Sequence, residues 1–228
     1  MNRKKSNSIK TIFLILTFMV LSVTSIPQPV YCATEIWIGV IAPDGGNEYG
    51  GIITIALEDI NDYIAAEGLD YELRFVLKDA KGQSTTQLEL IQEFNDMRIN
   101  LLIGGGWLSQ DQASLSYIND NDMILFSPNF TTTDLSIPDN LFRLNPSDEW
   151  DTLAMDDARA KDVNDRFVTL MGMPLTSITA NVYDICWIYA SSIFSTDSTD
   201  ALTIARVLHD IAATYNGITG NCTLDENG

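Results

Sequence analysis

"IWIGVIAPDGGNEYGG", residues Ile36 to Gly51, decides the architecture. Six apolar residues stand among the first seven, without polar alternation, and Pro43 stops the run. Such a run reads as a strand buried on both faces, and proline ends it because it brings no N–H to a ladder. A glycine-rich loop, 44–51, comes next. Apolar residues then return at Ile53, Leu57, Ile60 and Ile64, the spacing of a helix face, until Gly68 closes the helix.

The same unit repeats downstream. "YELRFVLKDA" (71–80) is a second strand. "STTQLELIQEFNDM" (84–97) is a helix with Leu88, Ile91 and Phe94 on its apolar face, and Ser84 with Gln87 forms a capping-box pattern at its start. "INLLIGGG" (99–106) is a third strand, "LSQDQASLSYIND" (108–120) a short helix, "MILFSP" (123–128) a fourth strand and "LFRLNPS" (141–147) a fifth. Alternating strands and helices predict an α/β three-layer sandwich with a mainly parallel sheet. In such sheets ligands bind outside the carboxyl ends of the strands. The loops at 43–51, 104–111 and 127–134 all belong to that edge.

After Trp150 the pattern changes. Residues 151–172 read as one continuous polar helix. "TSITANVYDICWIYASSIF" (176–194) is strongly apolar on one face. "STDSTDALTIARVLHDIAATY" (195–215) carries a stripe at Leu202, Ala205, Leu208 and Ile211 or Ala212. The remainder, "NGITGNCTLDENG", is rich in turn residues.

Residues 1–33 read as a signal peptide: "MNRKK" is a basic n-region, "TIFLILTFMVLSV" an apolar h-region, and small residues follow. Cleavage fits after Ser25 or near Cys32 and Ala33. An uncleaved anchor is the rival reading, and Tyr31 counts against a lipid on Cys32. The expected location is extracytoplasmic. The chain has 31 acidic and 13 basic residues, and four of the basic ones (Arg3, Lys4, Lys5, Lys10) lie in this segment. The rest therefore has nine basic residues and a net charge of −22. That surface excludes nucleic acid and anionic membranes as partners. Cys186 and Cys222 are the pair available for a disulfide, but Cys186 reads as a buried helix residue.

Catalytic chemistry is poorly supplied. His209 is the one histidine, and its charged helical context makes it a solvated residue rather than a base. "GGGW" lacks the lysine and the spacing of a phosphate-binding loop. The acidic pairs Glu58/Asp59, Asp120/Asp122 and Asp156/Asp157 read as solvated faces. No metal, cofactor or enzymatic activity is expected. What remains is a neutral polar rim: Tyr49, Ser109, Asn129, Thr131, Thr132 and Tyr183. Hydroxyls, amides and helix N-termini suit a small zwitterion or amide.

The segments "IWIGVIAP…EYGG…ALEDIN", "LLIGGG", "ILFSPNFTTTDLS…LFRLNPSD", "FVTLMGMPLTSITANVYDICWIYASSI" and "GITGNCTLDENG" resemble, in order and spacing, the branched-chain amino-acid binding proteins of ABC transporters. That family has the type 1 periplasmic binding fold. The resemblance implies that Tyr49 lines the cleft, that Asn129 and Thr131 hold the ligand's amine or carboxylate, and that Tyr183 lies near the hinge. Ser109 is one residue past the position of a carboxylate-binding serine, where this chain has Leu108. The resemblance also implies a second lobe between "NPSD" and "FVTLMG". Here Trp150 runs almost directly into the later helix, so residues 34–228 are expected to form one lobe with a junction near 151–166. The expected function is an exported solute-binding protein taking a small amino-acid-like or amide ligand, weakly, with an ABC permease as partner. The alternative is a sensory or dimerisation module, with a homodimer as the partner.

Overall fold

The computed structural model describes residues 33–105, 107–129, 139–144 and 157–224. Residues 1–32 of the expected signal peptide, Thr131, Thr132 and residues 151–156 of the expected junction lie outside these residues. Strand β1 spans Thr34–Ala42, β2 Tyr71–Asp79, β3 Leu101–Gly104, β4 Ile124–Ser127 and β5 Leu141–Arg143. Between and after them run helices α1 (Asn47–Glu67), α2 (Ser84–Asp96), α3 (Leu108–Asp120), α4 (Ala158–Met171), α5 (Ser177–Thr196) and α6 (Ala201–Thr214). A small antiparallel pair follows, β6 (Asn216–Gly217) with β7 (Gly220–Asn221).

The five main strands form one sheet in the order β2-β1-β3-β4-β5, and every neighbouring pair is parallel. Side chains alternate between two cores, as a pleated strand requires. Ile38, Val40, Ile103 and Phe126 join α1, α4, α5 and α6 on one face. Ile41, Leu102 and Leu125 join α2 and α3 on the other. The result is the three-layer α/β sandwich that the alternation implied. Helix α5 lies deepest: Val182, Tyr183, Ile185, Ile188 and Tyr189 are all buried, and the Tyr189 hydroxyl donates to the Leu102 carbonyl across 2.9 Å.

The structure corrects several local readings. Helix α1 begins at Asn47, inside the expected loop, because Gly46 supplies a left-handed cap and Tyr49 is buried in the first turn. Helix α2 has Gln83 at its cap with no side-chain bond, so the Ser84–Gln87 capping box does not form; Gln87 turns inward instead. Helix α4 is preceded by an extended cap residue, Asp157, whose carboxylate accepts from the Arg159 and Ala160 N–H groups, so the helix read over 151–172 is not continuous. In α6 the buried stripe is Ala201, Ile204, Leu208 and Ala212, so Leu202 and Ala205 are only half-buried beside it. His209 is half-buried as well, edge-on to Phe142 at 5.9 Å between ring centres. Cys186 and Cys222 are both buried and carry free thiols.

Candidate functional site

The carboxyl edge of the sheet is assembled around the short loop after β1. Gly45 and Gly46 have φ of 83° and 68°, a turn open to glycine without strain. The loop is tied to its neighbours. Gly45 N–H donates to the Asp79 carboxylate at the end of β2 (3.1 Å), the Gly82 N–H to the Pro43 carbonyl (2.7 Å), and the Gln110 side chain to that same carbonyl (3.4 Å). Between this loop and the start of α5 lies a cavity of about 380 Å³, lined by residues 43–49 with Thr176 and Ile178. Thr176 and Thr179 cap each other reciprocally, which fixes the direction of α5 at the cavity wall.

Tyr49 is where the sequence placed it. It lines the cavity, yet its hydroxyl is buried with no hydrogen-bond partner. Burial first, and then the negative charges of Asp111 and Glu48, push that hydroxyl's pKa up, so it stays protonated. Asn129 follows β4 at the same edge and is half-buried. Ser109 is exposed in the first turn of α3, beside buried Gln110 and Asp111. Tyr183 is buried, and its hydroxyl donates to the Asp59 carboxylate at 2.8 Å. Asp59 is ten residues beyond Tyr49 on α1, roughly 15 Å along the helix axis at the usual rise. Tyr183 thus closes a staple between α1 and α5, in which Arg166 of α4 also bonds Asp59 (2.7 Å) and Glu58 (3.0 Å). Burial lowers the Arg166 pKa, but its bonds to Asp59 and Glu58 outweigh that and leave it raised. Asp59 is therefore an anchor for α4 and α5, while Glu58 stays on the solvated face as the reading of that pair expected.

A second set of side chains at this edge was not expected. Gln87, Gln110, Asp111 and Ser114 are fully buried together beneath the β3–α3 turn. Gln87 donates to Asp111 (2.8 Å) and Ser114 (3.4 Å), and Ser114 to the Gln110 carbonyl (2.9 Å). Gly105, with φ of 78°, lets the chain pass the Asp111 carboxylate, where a Cβ would lie only 2.0 Å from its oxygen. Across the sheet, Asn181 of α5 donates to the carbonyls of Pro128 (2.8 Å) and Leu144 (3.2 Å), joining the ends of β4 and β5. Among the described residues no group of three or more His, Cys, Asp or Glu side chains is placed to hold a metal ion. Nor is any helix there long and apolar enough to cross a membrane.

A parallel sheet in this strand order, with a cavity at its carboxyl edge, is one lobe of the type 1 periplasmic binding fold. An ABC transporter substrate-binding protein from Desulfitobacterium hafniense, solved with Leu, matches 84% of this chain and 95% of its own, with a TM-score of 0.68 and 17% identity. The branched-chain amino acid transporter substrate-binding protein LivJ from Streptococcus pneumoniae, solved with isoleucine, matches 85% of this chain and 93% of its own, with a TM-score of 0.67 and 12% identity. A solute-binding protein from R. palustris, solved with benzoate, matches 82% and 88%, with a TM-score of 0.62 and 11% identity. At these identities the likeness is one of fold. These neighbours are solute-binding proteins, not enzymes. No protein-family model matches the chain, and no curated protein matches it by sequence.

Proposed function

We propose that this chain is an exported solute-binding protein of the ABC-transporter type, whose rim receives the polar head of a small amino-acid-like or amide ligand. The observation that supports this most is the cavity between the 43–49 loop and the start of α5, with the buried, unpartnered Tyr49 hydroxyl behind it. Tyr49 and Asn129 are the proposed binding residues at the described rim, with Ser109, Thr131 and Tyr183 as further candidates to be tested. Residues 34–228 are proposed to act as one lobe, with the junction near 151–166 standing where a second lobe would be inserted.

A single lobe walls its ligand on one side. Micromolar binding needs about −8 kcal/mol, and half of that corresponds to a roughly millimolar complex. The isolated protein should therefore bind weakly, and a permease or another partner would supply the second wall. The test is an NMR titration with branched-chain amino acids and short amides, on the wild type and on an Asn129→Ala, Thr131→Val double variant. Shifts at millimolar ligand, clustered on 105–111 and 127–133 and lost in the double variant, support the reading. Absence of shifts with every ligand, together with a tight homodimer burying this rim, would favour the interaction module instead.

A further inference from the structure

We propose that the rim is an acceptor site: its ligand presents hydrogen-bond donors, as a protonated amine or an unsubstituted amide, and a free carboxylate is disfavoured there. This rests on the rim being the ligand site. Three side-chain amides, of Gln87, Gln110 and Asn181, are buried at this edge. The Gln110 NH₂ faces the Pro43 carbonyl, and the Asn181 NH₂ faces the carbonyls of Pro128 and Leu144. A backbone carbonyl only accepts, so neither amide can be turned without setting oxygen against oxygen. The Gln87 NH₂ is held by the Asp111 carboxylate and Ser114. The Asn181 and Gln87 amides thus spend both donors on the protein, and Gln110 spends one of its two. Their carbonyl oxygens, Gln110 Oε1, Asn181 Oδ1 and Gln87 Oε1, are buried without a partner.

Charge points the same way. The residues lining the cavity include Asp44 and Glu48 and no basic residue, and Asp111 acts electrostatically on Tyr49 from behind it. Arg143, buried at the end of β5, is not among the residues that line the cavity. The first turn of α3, which would ordinarily attract an anion, carries the buried Asp111. The Tyr49 hydroxyl can accept a hydrogen bond from a ligand donor while donating one to a neighbouring acceptor. A buried acceptor without a donor carries an unmet cost, which a ligand amine removes and a carboxylate adds to.

The test compares probes with one carbon skeleton: 4-methylpentan-1-amine, 4-methylpentanamide and 4-methylpentanoate, titrated into the ¹⁵N-labelled full chain. The amine and the amide should shift 43–49, 108–111 and 178–181 with at least about tenfold lower Kd than the carboxylate, a factor in reach of one charged hydrogen bond. Tyr49→Phe should weaken amine binding several-fold without lowering the denaturation midpoint, since that hydroxyl has no partner to lose. Asp111→Asn should narrow the amine-over-carboxylate ratio. If 4-methylpentanoate binds these residues as tightly as the amine, the acceptor assignment is overturned while the solute-binding reading stands. If no probe shifts them, both fall.

Discussion

Asp184 shows what a single buried carboxylate can organise. It lies in the middle of α5, fully buried, and accepts hydrogen bonds from the Ile218 and Thr219 N–H groups (both 2.9 Å), the Tyr215 hydroxyl (3.1 Å) and the Thr219 hydroxyl. Burial pushes its pKa up and these donors pull against the rise. The β6–β7 turn is thus wrapped around one carboxylate, and Gly217 passes so close that a Cβ would lie 2.2 Å from its oxygen. Replacing Asp184 with Ala strands two buried backbone donors, each costing about 1–3 kcal/mol. We expect Asp184→Ala to lower the urea midpoint strongly and to abolish exchange protection at 218 and 219; Gly217→Ala should do the same through steric conflict. An unchanged midpoint in either would remove Asp184 from this role. The polar residues of the rim have a comparable signature that the sequence displays but that was passed over. Gln87 falls at the top of the Gln87–Ile91–Phe94 stripe, and Asp111 at the top of Asp111–Ser114–Ile118. A polar residue on an apolar stripe is buried with its helix and must find partners. Tyr49 and Asn129 stand out in the sequence because they follow strand ends; Ser109 stands out because it follows the third strand, one residue past the position that the resemblance marks, and it is exposed in the first turn of α3.

At the scale of elements, strands and helices were readable because buried parallel strands and amphipathic helices differ in period. Caps and faces were less so. Ser84 and Gln87 had capping-box spacing, but the demand for a partner to Asp111 took Gln87 away. The α6 stripe was read one face round, because Leu202 and Ala205 are as apolar as the Ile204 that packs. The resemblance puts Tyr183 near a hinge; its hydroxyl is held by Asp59, a partner 124 positions away that no local pattern reveals. Two predictions belong here. Asn181→Ala leaves the Pro128 and Leu144 carbonyls without their side-chain donor, so it should reduce exchange protection around 141–144 and cost about 1–3 kcal/mol in denaturation. Asp200 caps α6 by accepting from the Thr203 N–H and hydroxyl, which lowers its pKa. A depressed carboxylate contributes stability above its unfolded pKa and loses it as pH falls through the folded value. Asp200→Ala should therefore cost about 0.5–1 kcal/mol at pH 7, at the low end because the cap is solvent-exposed. The difference from wild type should shrink as the pH falls through the folded-state pKa, which lies below the ordinary aspartate value. A deficit that persists below that pKa would mean that Asp200 acts through something other than its charge.

For the molecule as a whole, charge is the least balanced quantity. Beyond the N-terminal segment, nine basic residues face 31 acidic ones. Several of the basic residues are already paired: Arg166 with Asp59, Glu58 and Asp162, Lys161 with Asp165, and Arg74 with Glu35 and Glu72. Salt acts on both populations with opposite sign. It weakens the ion pairs, each worth about 0–1 kcal/mol where exposed, and it screens repulsion among the carboxylates that have no cation to meet. Raising NaCl from about 0.01 M to about 1 M shortens the screening length from about 30 Å to about 3 Å, below the spacing of most surface charges. Repulsion summed over a net charge of −22 outweighs a handful of half-exposed pairs. The thermal midpoint should therefore rise with NaCl, by about 2–4 °C for each kcal/mol of repulsion removed in a chain of this size. Repeating the scan with Arg166→Met separates the two effects, because that variant lacks the densest ion-pair cluster and should gain more from salt than the wild type. A midpoint that falls with NaCl in the wild type would show that the ion pairs, and not the acidic excess, govern the stability of the lobe.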